Sequence, residues 1–136
     1  MQLDLVRWID LPTIAGEGLV TFAQEGQPLP FELKRIYYLH GIPAGKVRGS
    51  HGHKELQQLI VAIHGSFTLM LDDGVNRREF VMNDPTRAVY IPKMMWRELH
   101  SFSGDAVCMV LASLPYDEGD YIRDYGDFME AVKKGF

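Results

Sequence analysis

His51 and His53 stand two residues apart in the run Gly45-Lys46-Val47-Arg48-Gly49-Ser50-His51-Gly52-His53-Lys54. On an extended strand, residues two apart project from the same face, so the two imidazoles would converge on one volume. An imidazole titrates near neutrality, which suits it either to proton transfer or to metal binding. Two imidazoles without a carboxylate leave a metal site incomplete. The plainer alternative for any His-x-His is a pair of surface histidines beside a glycine turn. His40, His64 and His100 carry no comparable pattern. Cys108, in the apolar run Ala106-Val107-Cys108-Met109-Val110-Leu111, reads as a buried small hydrophobe rather than a nucleophile. Asp72 and Asp73 precede Gly74 and read as turn residues.

Short β segments are what the rest of the chain offers to position such a pair. Glycine and proline recur from Gly16 to Gly104, and the segments between them are mostly too short for helices. Residues 33–39, 59–63, 67–71, 80–82, 88–91 and 106–112 are β-branched, aromatic or apolar runs, giving at least six expected strands. The Asp72-Asp73-Gly74 signal between 67–71 and 80–82 predicts a hairpin. Many short strands at near-regular spacing imply a sandwich or small barrel. The period changes at the end: Tyr121, Tyr125, Phe128 and Val132 share one helical face, which predicts a terminal helix beginning after Asp120 as N-cap.

The 136 residues are 46% apolar and 24% charged with a net charge of −4, as expected of one ordinary globular domain spanning 1–136. A chain of this size buries enough surface to fold without disulfides or a structural metal. The single cysteine suggests a reducing compartment. With no apolar run long enough to span a bilayer and no basic leader before an apolar stretch, the cytoplasm is expected. Mild acidity and the absence of any Lys/Arg block argue against a nucleic acid or a membrane surface as partner.

The histidine segment resembles the first cupin motif. Gly45 lies six residues before His51, and Gly65 lies seven after Gln58, where that motif carries a glutamate. The second motif ends in histidine; its counterpart here, Pro92-Lys93-Met94-Met95-Trp96-Arg97, ends in Arg97. In metal-binding cupins the resemblance implies that His-x-His, the glutamate and the last histidine surround a divalent ion. A neutral amide and a permanent cation are poor substitutes for such ligands, so no metal and no other cofactor is expected.

A closer resemblance covers nearly the whole chain. Lys34-Arg35-Ile36-Tyr37-Tyr38, Arg48 to Lys54, Leu71-Asp72-Asp73-Gly74, Trp96-Arg97-Glu98-Leu99, and the run Tyr116-Asp117-Glu118-Gly119-Asp120-Tyr121-Ile122-Arg123-Asp124-Tyr125 are similar to the WxcM-like or FdtA-like cupin family of nucleotide-sugar 3,4-ketoisomerases. The resemblance implies an all-β cupin jelly-roll barrel with a short C-terminal helix, a homodimer, and a site inside the barrel mouth. It implies a metal-independent isomerase that moves the ketone of dTDP-4-keto-6-deoxyglucose from carbon 4 to carbon 3, supplying 3-amino-3,6-dideoxy sugars for surface glycans.

The same resemblance assigns roles. One of His51 and His53 is the base and the other a proton-shuttling partner, with either order open. Tyr37 is a hydrogen-bonding acid near the sugar. Arg48 and Arg97 hold the diphosphate or stabilise an enediolate, and Lys54, Trp96 and Arg35 are further substrate contacts. Trp96 can also be a wall of the barrel, and Arg35 a solvated face charge. The competing functions are a sugar-nucleotide 3,5-epimerase, a non-catalytic nucleotide-sugar binder, and a metal-dependent oxygenase, the last disfavoured by Gln58 and Arg97.

Overall fold

The computed structural model describes residues 2–135 of the chain. Fourteen strands follow in order: β1 (Arg7–Asp10), β2 (Thr13–Gly16), β3 (Gly18–Thr21), β4 (Gln24–Glu25), β5 (Pro28–Leu29), β6 (Arg35–Leu39), β7 (Arg48–His53), β8 (Gln58–His64), β9 (Phe67–Asp72), β10 (Arg77–Met82), β11 (Arg87–Ile91), β12 (Trp96–His100), β13 (Val107–Ala112) and β14 (Tyr121–Ile122). One α-helix, α1 (Tyr125–Lys133), follows β14, with short 3-10 helices at Gln2–Leu5 and Glu118–Asp120. No helix among the described residues is long and apolar enough to cross a membrane.

Ten of the strands form two five-stranded sheets, ordered β1-β11-β8-β13-β6 and β10-β9-β12-β7-β14, with every pairing within them antiparallel, while β2 and β3 form an antiparallel hairpin and β4 and β5 a short parallel pair. This is the expected all-β jelly roll, built as two facing sheets. Alternation supplies its core: Ile60, Ala62, Cys108 and Val110 from the first sheet meet Phe67, Leu69, Leu71, Phe80 and Leu99 from the second. β8 is buried on both faces over its first five residues, because the segment around Leu11, Leu29, Phe31 and Leu33 covers the outer side of the first sheet.

Helix α1 covers the outer face of the second sheet. Phe128 packs there with Met70, Met94, Trp96 and Ile122, and burying an aromatic ring of that size contributes roughly 1.5–3 kcal/mol. Gly52 makes room for it, since a Cβ on Gly52 would stand 3.0 Å from a ring carbon of Phe128.

Two expectations need correction. The helix begins at Tyr125, capped by the Asp124 side chain, which accepts a hydrogen bond from the Asp127 backbone N–H. Asp120 is not its cap: Tyr121 and Ile122 are extended and pair with His53 and Gly52. The helical period counted from Tyr121 therefore joined a strand residue to a helix face. The hairpin also differs, since β10 starts at Arg77, opposite Asp72, rather than at Phe80. Asp73 organises its turn by accepting from the backbone N–H groups of Val75 and Asn76 at 2.9 and 2.8 Å.

Candidate active site

Between the sheets, toward one end, opens a cavity of about 460 Å³. Its walls combine the inward residues of β6, β7, β8 and β12 with Tyr121 and Arg123 from the segment before α1. Arg35, Tyr37, Arg48, His51, Gln58 and Arg97 all line it.

A bulge in β7 explains how Arg48 and His51, three residues apart, reach the same cavity. Residues three apart on a regular strand face opposite sides. Here Arg97 pairs with His51 while Glu98 pairs with Gly49, leaving Ser50 as an extra residue with φ of 58°. Gly49, with φ of 85°, crosses so close to β12 that a Cβ would stand 3.1 Å from the Arg97 carbonyl.

The imidazoles of His51 and His53 meet edge to face, with centroids 4.9 Å apart. Tyr121 packs on both, 4.9 Å from His51 and 4.3 Å from His53. His51 Nδ1 lies 3.1 Å from the Gly49 carbonyl. Burial, reinforced by the Arg97 charge, lowers the His51 pKa from 6.5 to about 4, so the ring is neutral at physiological pH. His53 is 1% exposed, and burial followed by the Arg97 charge pushes its pKa well below the usual imidazole range. Its Nδ1 lies 3.1 Å from Asp120 Oδ2, while Nε2 is buried without a hydrogen-bond partner among the described residues.

Asp120 also accepts hydrogen bonds from the backbone N–H groups of Glu55 and Leu56, at 2.8 and 3.3 Å. It thus fixes the end of β7 and one nitrogen of His53 together. A role for Asp120 in the site is not legible in its neighbours, because its partners lie 64 to 67 residues away. Tyr121 likewise meets His51 and His53 only through the fold, and Arg123, within the same C-terminal motif, lines the cavity through the position of its segment rather than any local signal. Arg123 stands over the Tyr121 ring at 4.2 Å and is held by Glu118 at 2.6 and 2.9 Å.

Arg97 is buried, and burial lowers its pKa to about 10, which leaves it cationic at neutral pH. It donates to the Met95 carbonyl at 3.0 Å and to Oε1 of Gln58. Gln58 in turn donates from Nε2 to the Tyr37 hydroxyl at 3.0 Å. These residues do not suit a bound metal ion: the guanidinium and amide that replace two cupin ligands are engaged with each other. Among the described residues, no three His, Cys, Asp or Glu side chains converge as a metal site.

Arg35 lies over the Tyr37 ring at 4.9 Å. Burial raises the Tyr37 pKa, so the phenol keeps its proton. His53, Trp96 and Lys54 do not line the cavity, although the His53 ring packs against that of His51, which does. Trp96 projects from the opposite face of β12 into the cluster with Phe128 and donates to Glu98 at 3.1 Å, because alternation that turns Arg97 inward turns Trp96 outward. Lys54 follows β7 on the exposed surface.

The family model FdtA, described as WxcM-like, C-terminal, matches residues 4–133. The chain is 40% identical over 121 residues to a TDP-4-oxo-6-deoxy-alpha-D-glucose-3,4-oxoisomerase of Aneurinibacillus thermoaerophilus, covering 89% of this chain and 87% of that protein. It is similar to a histidine-to-asparagine variant of the 3,4-ketoisomerase QdtA from Thermoanaerobacterium thermosaccharolyticum, solved with TDP-4-keto-6-deoxyglucose. That match has a TM-score of 0.92 and 35% identity over 96% of each chain. WlaRA, a TDP-fucose-3,4-ketoisomerase from Campylobacter jejuni, matches with a TM-score of 0.89 and 31% identity over 93% of this chain and 94% of its own.

Proposed function

The chain belongs to the FdtA family of WxcM-like, C-terminal domains, and on that premise we propose that it isomerises TDP-4-keto-6-deoxyglucose to the 3-keto sugar. The observation that carries this reading is a neutral, cavity-lining histidine in a pocket whose charged lining side chains are all arginines.

His51 takes the proton from carbon 3, which the neighbouring ketone acidifies. The electron pair of that C–H bond forms the C3=C4 double bond, and the carbonyl pair moves onto O4. Protonation at carbon 4 and loss of the O3 proton, with O4 gaining one, give the 3-ketone. No electrons enter or leave the sugar. His53, whose ring packs edge to face on His51 behind the cavity wall, is the partner through which protons would be relayed to and from it.

Arg97 is the buried cation that stabilises the enediolate, a task that divalent ions perform in other enzymes. Tyr37 donates a hydrogen bond to a sugar oxygen. Arg35 and Arg48, with Arg123 at the rim, hold the diphosphate, since guanidinium groups match phosphate oxygens in paired contacts. Trp96 and Lys54 are not among the contacts, given where their side chains lie. The product's use in 3-amino-3,6-dideoxyhexose synthesis fits a ketone placed at carbon 3 for amination.

The protein works as a homodimer. Supporting this are Ile36 and Tyr38 on the outer face of β6, 54% and 62% exposed, beside the projecting β2–β3 hairpin with Leu19 at 70%. Ile36 and Leu19 border an apolar hollow of about 550 Å³, and exposed apolar surface of this kind marks association.

The test is incubation with TDP-4-keto-6-deoxyglucose in deuterated water. Deuterium at the exchanging position and a 3-keto product are expected, with no loss on chelation. Exchange at carbon 5 would instead indicate epimerase chemistry, and no exchange at all a mere binder. Stoichiometric metal with activity lost on chelation would also overturn the reading.

A further inference from the structure

Gln58 is 1% exposed at the start of β8, between Arg97 and Tyr37. Arginine has hydrogen-bond donors only, so the side of the amide facing Arg97 must be its carbonyl oxygen. With the amide reversed, N–H would face N–H in a buried site, leaving buried donors unpaired, which the closed interior penalises. Arg97 cannot rotate freely to relieve this, because its other terminal nitrogen is held by the Met95 carbonyl at 3.0 Å.

That constraint passes outward. The NH2 of Gln58 is left to face the Tyr37 oxygen at 3.0 Å. The phenol therefore accepts from Gln58, and its own hydrogen must point elsewhere. Tyr37 lines the cavity, so a ligand oxygen there meets a phenol turned to donate.

We propose that Gln58 is a positioning residue: clamped by Arg97, it sets the direction of the Tyr37 hydroxyl so that the phenol arrives as a hydrogen-bond donor to the reacting sugar oxygen. This rests on the ketoisomerase reading for its consequence in catalysis, but the direction of the hydrogen bond stands on the geometry alone. A glutamate at this position would invert the relay. Its carboxylate would accept from Arg97 and from Tyr37 alike, drawing the phenolic hydrogen away from the cavity.

The experiment is a double-mutant cycle of Gln58→Glu and Tyr37→Phe with TDP-4-keto-6-deoxyglucose. Gln58→Glu alone is expected to lower kcat about 10- to 100-fold with KM changed less than about threefold. In the Tyr37→Phe background the same substitution should cost less than about threefold. Equal penalties in both backgrounds would show that the glutamate acts through its charge, overturning the proposal.

A second measurement needs neither turnover nor a folded glutamate variant. In protein carrying 15N-labelled glutamine, Tyr37→Phe keeps the aromatic ring but removes the acceptor. One side-chain amide proton of Gln58 is then expected to shift upfield, and unchanged Gln58 resonances would overturn the assigned direction. Should the unsubstituted protein fail to turn over the keto sugar, the functional reading falls, while the amide shift still decides the hydrogen bond.

Discussion

The Asp120 carboxyl reaches across from the segment before α1 to lie 3.1 Å from Nδ1 of His53, a residue 67 positions earlier. The same carboxyl holds the Glu55 and Leu56 backbone. With Nδ1 carrying the hydrogen toward Asp120, the neutral imidazole presents Nε2 as its basic nitrogen. Asp120→Asn is expected to lower kcat about 10- to 100-fold, because an amide can present its NH2 to Nδ1 and favour the opposite tautomer, while TDP affinity changes less than about threefold. Steady-state kinetics paired with TDP calorimetry make the check. Unchanged kcat would remove Asp120 from the proton machinery and leave it only a loop anchor.

Replacing His51 by Asn should abolish deuterium incorporation by a factor of about 10² to 10⁴, the usual worth of a positioned base. TDP binding should survive, since the arginines proposed to hold the diphosphate are untouched. Persisting exchange would move the base elsewhere.

The pH dependence follows from the same ring. With its pKa lowered to about 4, His51 stays neutral through the mildly acidic range, so the acidic limb of kcat/KM is expected below pH 6.5. Stability moves in the same direction. Between pH 6.5 and about 4 the unfolded ring binds a proton that the folded ring refuses. This contribution is complete above pH 6.5 and lost as the pH falls toward 4. Rate profiles and urea titrations across that window provide the measurement, and a limb centred above pH 6.5 would contradict it.

Association should depend on the outer face of the first sheet. Ile36→Glu combined with Tyr38→Glu places charges on that exposed apolar surface and is expected to give monomers in sedimentation velocity runs where the unsubstituted protein is dimeric. A monomeric unsubstituted protein, or a dimer indifferent to both charges, would place the interface elsewhere or dispense with it.

The helix is latched to the sheet by Tyr125, whose hydroxyl donates to Asp72 at 2.7 Å while Arg77 Nε donates to the same oxygen at 2.9 Å. Tyr125→Phe is expected to cost about 1.5–3 kcal/mol, the usual worth of a hydrogen bond to a charged group. Thermal and denaturant unfolding would register it, with kcat unchanged because Tyr125 is outside the cavity. No loss of stability would mean that water replaces the phenol.

Local pattern is enough for six of the fourteen strands and for the histidine pair on β7, while β1 to β5, β12 and β14 carry no comparable local signal. Alternating apolar residues and turn chemistry specify short strands from within each segment, and the spacing of His51 and His53 states that they share a face. The family resemblance, too, lies in residue types along the chain, from Lys34-Arg35 to the motif around Asp120. What no local pattern could decide is which partner each side chain meets. Asp120 and Tyr121 looked like the start of a helix because their spacing fits one, yet pairing with β7 and bonds to residues near 53–56 hold that stretch extended. Gln58 looked like a failed metal ligand until the fold buried it between Arg97 and Tyr37. Trp96 left the cavity once Arg97 entered it. Hydrogen-bond satisfaction in a closed interior is a non-local condition: a buried donor must find its acceptor wherever the sheets bring one, and only the packed structure chooses which.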